Sequence, residues 1–238
     1  MDCAQEYHTP LYPHHPHIGG RYSCFSIVSL LPAAFAGFDI RSFLRGSQET
    51  LRKLSEKELV DHLNYMCLHS HETSMHINTV LCYHDELKFF LEWYKQLWSE
   101  SIGKDSKGPA VLSAIGPLDQ HSGLQLYLAG PKDKFFTLIH IDKSDTLTCD
   151  LSITPYFPDC LDHESIANVI RAAYQATYES LSSQHPCRSI EFSRYDAMNL
   201  GQLMSQMIIE TILSCRYSAV NPYDQPAVEQ GKKRIKEL

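Results

Sequence analysis

Short apolar runs that alternate with longer amphipathic ones constrain this chain more than any single residue does. Ile77-Asn-Thr-Val-Leu-Cys-Tyr83 reads as a strand, and a helix is expected from near Asp85, with Leu87, Phe90, Leu91 and Tyr94 as its apolar stripe. Val111–Ile115 reads as the next strand, Ser122–Leu128 as a short helix and Phe135–Ile141 as another strand. Further on, Ile166, Val169, Ile170, Ala173, Tyr174 and Thr177 recur at helical spacing, as do Leu200, Leu203, Met204, Met207, Ile208, Thr211 and Ile212. Cys187–Ser193 alternates between them in the manner of a strand. Both helical stripes are read as core. Strands that alternate with helices predict an α/β fold with a mostly parallel sheet.

The part before this pattern reads differently. Residues 1–18 are rich in Pro and His, lack periodicity and are expected to form a loose arm. Phe25–Phe38 is expected to be a buried helix, with polar helical stretches over Asp39–Leu44 and Glu49–Cys67, so that residues 19–70 form a helical lead-in to a domain over 71–238. The apolar run Cys24–Phe38 contains Ser26, Ser29 and Pro32 and falls short of the roughly 20 residues that span a bilayer. Nor does it lie where a signal peptide would.

With 238 residues, 43% of them hydrophobic, the chain can bury a substantial core. A net charge of -7 supplies no basic field, so neither nucleic acid nor an anionic membrane is expected as a partner. The eight cysteines show no Cys-x-x-Cys spacing, which reads as reduced thiols in the cytoplasm. In His14-His-Pro-His17 the proline interrupts any ligand spacing, so a metal site is not expected there. Ser144–Thr148 carries hydroxyls but lacks the glycine and helix start of a phosphate cradle.

Four separated segments carry chemistry. Gly19-Gly-Arg-Tyr-Ser23 joins two glycines, expected to allow a tight turn, to an arginine whose planar fork suits an oxyanion. Gln96-Leu-Trp-Ser-Glu-Ser-Ile-Gly-Lys104 ends a patterned helix with Gln96 and Glu100 one turn apart and bulky Trp98 and Ile102 in the flanks, expected to desolvate the carboxylate. Gly116-Pro-Leu-Asp-Gln-His-Ser122 sets His121 after a turn. Tyr223-Asp-Gln-Pro-Ala-Val-Glu-Gln-Gly-Lys232 opens a helix in which Asp224 can cap the first turn and Pro226 suits the start. Gln225 and Lys232, seven residues apart, then share one side of that helix.

These segments, in this order, resemble the phosphoglucose isomerase family, and Trp93-Tyr-Lys-Gln-Leu-Trp-Ser-Glu100 and Asp119-Gln-His-Ser-Gly-Leu-Gln-Leu-Tyr127 look like its bacterial branch. The resemblance runs from about Ile18 to Lys232 and covers the second half of an intact enzyme. It implies a sugar isomerase (SIS) three-layer sandwich, with the N-terminal SIS domain that holds the substrate phosphate absent. It also implies interconversion of glucose 6-phosphate and fructose 6-phosphate in glycolysis and gluconeogenesis through an enediol, without metal or organic cofactor. By the same likeness Glu100 moves the proton between C1 and C2, Arg21 stabilises the anionic intermediate, and His121 and Lys232 open the sugar ring. Gln96, Gln225 and Gly20 contact the substrate, and the histidine is donated across a homodimer interface. A separate N-terminal isomerase half is the other partner implied, and a sugar-phosphate binding module or an inactive fragment is the alternative to an enzyme. Three positions depart from the pattern: Ala227 stands where glycine is usual, and Cys24 and Pro16 replace more typical residues.

Overall fold

The structure, a computed structural model, describes residues 2–141, 166–228 and 234. Lys232 and Ser144–Thr148 lie outside the described residues. The described residues include eight helices that position the sheet and the site: α1 (Asp2–Glu6), α2 (Ile27–Phe35), α3 (Ile40–Arg52), α4 (Lys57–His71), α5 (Lys88–Ile102), α6 (Gly116–Ala129), α7 (Ile166–Ser182) and α8 (Ala197–Tyr217). Four strands accompany them: β1 (Ile77–Tyr83), β2 (Ala110–Ile115), β3 (Lys134–Ile141) and β4 (Cys187–Phe192).

The strands form one sheet in the order β2-β1-β3-β4, and every neighbouring pair is parallel. Parallel neighbours need a return path, and helices supply it on both faces. Side chains alternate along each strand, so Val80 and Cys82 of β1 with Phe135 and Ile139 of β3 meet α4, α5 and α8 through Met66, Leu91, Trp98, Leu203 and Met207. Leu81, Tyr83, Phe136 and Leu138 point the other way, onto Tyr127 of α6 and Tyr174 and Leu181 of α7. The result is the expected three-layer α/β/α sandwich with an all-parallel sheet. Every residue of β3 is buried, as a central strand covered on both faces requires.

Helix ends follow local chemistry. The Asp39 carboxylate accepts from the Ser42 amide at 3.0 Å to start α3, and Asp196 accepts from Asn199 at 2.8 Å to start α8. These two helices then cross at van der Waals contact of their backbones. A Cβ on Gly46 would lie 1.9 Å from the Met198 carbonyl oxygen, and one on Gly201 would lie 2.0 Å from that of Phe43.

Some expectations need correction. Residues 1–18 contain a short helix, α1, closed by the Thr9 amide on the Ala4 carbonyl at 3.0 Å. The run Phe25–Phe38 is not a buried helix: a 3-10 turn occupies Gly20–Phe25, and no residue of α2 is buried, with Phe35 86% exposed. Apolarity measures how much a helix gains from cover, and among the described residues this one is covered on one side only, by the 3-10 turn and α3, which leaves Val28 and Phe35 exposed. The helix expected at Ser122–Leu128 starts six residues earlier because Pro117, at its first turn, needs no intrahelical N–H partner there.

Candidate functional site

Arg21 is placed by the 3-10 turn, which Ser23 closes with its hydroxyl on the Gly20 carbonyl at 2.7 Å. Trp93 on α5 donates its indole N–H to the Arg21 carbonyl at 3.0 Å and pins this turn to the helix. Neither Gly19 nor Gly20 adopts a positive φ, so the turn does not need glycine's backbone freedom. What the two glycines leave is space: a Cβ on either would meet nothing within 4 Å.

The Arg21 side chain points inward and the residue is only 3% exposed. Its Nε donates to Ser101 Oγ at 3.0 Å, and Nη1 donates to Glu100 Oε2 at 2.9 Å and to Gln225 Oε1. Nη2 donates to the carbonyls of Pro222 at 2.8 Å and Asp224 at 3.1 Å. A guanidinium has five N–H groups, and all five are therefore committed. The other Glu100 oxygen, Oε1, accepts from Gln96 Nε2 at 3.1 Å, one helical turn back, so that amide is aimed at the carboxylate. Tyr22 adds its hydroxyl to Ser101 Oγ at 2.9 Å and to the Pro222 carbonyl at 3.1 Å. Burial pushes the Tyr22 phenol up and keeps it a proton donor.

Four of the seven site residues expected from sequence therefore come together: Arg21, Gln96, Glu100 and Gln225, with Gly20 beside them at the start of the turn. They sit at the amino edge of the sheet, because α5 and α8 run antiparallel to the strands and deliver their C-termini there.

His121 is not among them. It is exposed on α6, which lies on the opposite face of the sheet from α5. Lys232 is outside the described residues, which in this stretch are Pro226–Val228 and Arg234. Trp98 and Ile102 do not shield Glu100. Both are 0% exposed in the core, and Trp98 donates to the Pro109 carbonyl at 3.0 Å. Residues two apart on a helix point about 200° from each other, so neighbours in sequence became opposites in space. The Asp224 carboxylate pairs with Lys104 at 3.1 Å instead of capping the last helix. Ala227 is not in the positive-φ region, so that position does not require glycine.

Sequence reasoning missed Tyr22, Ser101 and Lys104 as members of the cluster, although each lies within a quoted segment. Their spacing from Arg21 and Glu100 was the available signal. A cleft of about 210 Å³ opens elsewhere, lined by Thr50, Glu58, His62, Glu191 and Gln206 among others, and includes none of the Arg21 cluster. The segment Asn221–Gln225 fills the space against Arg21. Desolvation raises the nearby Cys215 thiol to about 11 and Cys24 to about 12, so neither is primed as a thiolate nucleophile.

No family model matches the chain. Among curated proteins it is 34% identical over 229 residues to a glucose-6-phosphate isomerase of Rubrobacter xylanophilus, covering 92% of this chain and 52% of that protein. It is 35% identical over 248 aligned positions to a probable glucose-6-phosphate isomerase of Haloarcula marismortui, covering 99% and 55%. Of solved structures, a hypothetical protein from Thermus thermophilus superposes with a TM-score of 0.84 at 25% identity, over 99% of this chain and 59% of that one. A glucose-6-phosphate isomerase from Chlamydia trachomatis shares the fold, with a TM-score of 0.78 at 19% identity over 95% of this chain and 48% of that one. The chain thus spans about half the length of the curated relatives it matches.

Proposed function

Because this chain belongs to the glucose-6-phosphate isomerase family while spanning about half the length of its curated relatives, we propose that it carries the proton-transfer half of an aldose–ketose isomerase acting on glucose 6-phosphate and fructose 6-phosphate. The observation that carries this reading is the convergence of Arg21, Gln96, Glu100 and Gln225, drawn from three distant stretches of chain, into one hydrogen-bonded group.

Glu100 is the base. It takes the proton from C2 of the open-chain aldose and returns it to C1, while the hydroxyl proton moves from O2 to O1 and the C1 carbonyl becomes a C2 carbonyl. Gln96 holds the carboxylate in one orientation through Oε1. Arg21 sits beside the position where enediolate charge develops, and a guanidinium stabilises that charge without losing its own proton. Since its fork is fully committed, the substrate oxygen takes the place of one of the present acceptors; of the three that are side chains, Glu100 is also held by Gln96 and Ser101 by Tyr22, and Gln225 is the one that turns away. Gln225 then hydrogen-bonds the sugar, with Gly20 leaving room for it. His121 and Lys232 open the ring. Because His121 is on the far layer of its own chain, it comes from a second copy in a homodimer. Residues 71–238 act as the second SIS domain, and the phosphate is held by a first SIS domain, which falls in the half of the relatives that this chain does not span.

The test is conversion of fructose 6-phosphate to glucose 6-phosphate by the purified chain, alone and with the N-terminal half of a relative added in trans. Glu100→Gln serves as the control for contaminating enzyme. Turnover that drops by roughly 10²–10⁴-fold in the variant supports the reading. Equal turnover by both chains refutes it. A second reading, a sugar-phosphate binding module without turnover, is favoured by the full commitment of the Arg21 fork. Binding of fructose 6-phosphate with no conversion, even with the partner half present, would select it.

A further inference from the structure

The loop from α5 to β2 takes an unusual path. Asp105 and Ser106 both have left-handed backbone, with φ of 53° and 59°, and Gly108 has φ of 89° where a Cβ would lie 2.7 Å from Ile102 Cγ2. Consecutive left-handed residues without glycine are costly and persist only where the surroundings impose them. A bond from the Lys107 amide to the Lys104 carbonyl at 2.8 Å closes the turn. Both lysine side chains then reach the stretch that leaves α8.

Lys107 donates to the Ser218 carbonyl at 2.9 Å. The Lys104 side chain is 11% exposed and its ammonium has three acceptors: the Ser101 carbonyl at 2.7 Å, the Asn221 carbonyl and Asp224 Oδ1 at 3.1 Å. An ammonium has three N–H groups, so Lys104 is fully used. One acceptor belongs to the last turn of α5, where a cation is favoured by the free carbonyls, and two belong to Asn221–Gln225. That five-residue strap is otherwise held by Arg21 and Tyr22, and at its end Gln225 faces Arg21.

We propose that Lys104 is a positioning residue for the isomerase site: it latches the Asn221–Gln225 strap to the end of α5 and so sets where Gln225 stands relative to Arg21 and Glu100. The proposal rests on the reading of the Arg21 cluster as the substrate site. Lys104 touches no substrate in this account and acts through Gln225. A surface ion pair contributes little. The Asp224 carboxylate is half exposed, and what distinguishes this contact is the two backbone carbonyls, because they tie it to the path of the main chain and not to a charge alone.

The experiment uses the full chain with Lys104→Met, and Asp224→Asn as a second variant that weakens the latch without touching the α5–β2 loop. Hydrogen exchange of the 221–228 amides should rise in both, more in Lys104→Met, while β1 and β3 amides exchange at the wild-type rate. Binding is read with 5-phospho-D-arabinonate, whose carboxylate carries the charge of the enediolate. Lys104→Met should weaken that binding about tenfold, the factor corresponding to loss of one charge-assisted contact. With turnover present, the same loss should fall mainly on KM. In a Gln225→Ala background, Lys104→Met should add nothing, since residues acting through one group are not additive. Unchanged exchange in the strap, or losses from Lys104 and Gln225 that simply add, would overturn the latch. If the wild-type chain neither binds the analogue nor turns over fructose 6-phosphate, the functional reading fails, and the exchange measurement alone then decides whether Lys104 holds the strap.

Discussion

Glu210→Leu tests whether α8 is anchored by charge. Glu210 is fully buried and meets the Arg188 guanidinium through two bonds, Nη1 to Oε1 at 2.7 Å and Nη2 to Oε2 at 2.8 Å. Gln206 also donates to Oε1, at 2.8 Å. Arg188 in turn donates from Nε to Thr137 Oγ1 at 2.9 Å and from Nη1 to the His62 carbonyl at 3.2 Å, so one side chain joins β4, β3, α4 and α8. Burial alone would depress the Arg188 pKa, yet the Glu210 carboxylate leaves it raised. Removing the carboxylate strands this cation, with two neutral acceptors left in place of a bidentate partner. Such a loss costs about 3–5 kcal/mol. At roughly 2–4 °C per kcal/mol for a chain of this size, Tm should fall by about 6–20 °C. The assay is equilibrium unfolding in urea with circular dichroism, alongside a thermal scan. Replacing both partners, Arg188→Met with Glu210→Leu, should recover most of the loss, because the desolvation cost of both charges disappears together. A single variant that costs under about 1 kcal/mol, or a double variant worse than either single one, would refute the argument.

Gly201→Ala should destabilise by about 1–3 kcal/mol or more, since its Cβ would sit 2.0 Å from the Phe43 carbonyl oxygen and α3 would have to retreat by roughly 1.4 Å to restore ordinary contact; an unchanged Tm would contradict the close crossing. Acid should also weaken the fold. Burial lowers the pKa of His62 and His185 below the usual 6.5, with the Arg188 and Lys132 charges adding to the effect. The unfolded chain therefore binds protons at these sites before the folded one does, so stability is highest above about pH 6.5 and declines as pH falls toward 5. Thermal scans between pH 7.5 and 5 check this, and His62→Gln should flatten part of the slope.

What could be read in advance depended on whether the information was local. β1 was legible to the residue, because an apolar run of strand length is bounded on both sides by polar residues. The stripe of α5 was legible for the same kind of reason. The exposure of α2 was not, since its composition says how apolar it is and nothing about what lies over it. At the site, the sequence placed Arg21, Gln96, Glu100 and Gln225 in separate loops and helix ends, and the likeness to a family said that they meet. Neither said how. Ligands in open parallel sheets usually gather at the carboxyl ends of the strands, yet this cluster is at the amino edge, a consequence of α5 and α8 ending there. The spacing of Lys104 and Tyr22 from Glu100 and Arg21 put them near the cluster, but their partners were not legible, because the Pro222, Ser101 and Asn221 carbonyls they reach are backbone groups that no side-chain pattern announces.

The separation of His121 from Glu100 leads to a sharp test of how a complete site is assembled. Within one chain, α5 and α6 cover opposite faces of the sheet, and α6 starts at the edge opposite to the one where Glu100 ends α5. A sheet with buried strands between them rules out contact by side-chain rotation. If both residues act on one sugar, His121 must come from a second copy, and a C2 dimer then contains two sites, each built from both chains. Glu100→Gln and His121→Ala should each abolish turnover when purified alone. Mixed in equal amounts and allowed to exchange subunits, they form heterodimers as about half of all dimers. Each heterodimer has one site with both residues intact and one with neither, so activity should return to about a quarter of the wild-type value. The readout is the rate of fructose 6-phosphate conversion, with the partner half present if the chain requires it. Recovery near that fraction fixes the histidine's origin in the second chain. A mixture as inactive as its two components, with subunit exchange verified by mass-tagged chains, would mean that His121 plays no part across an interface, and the ring-opening role would have to pass to another group.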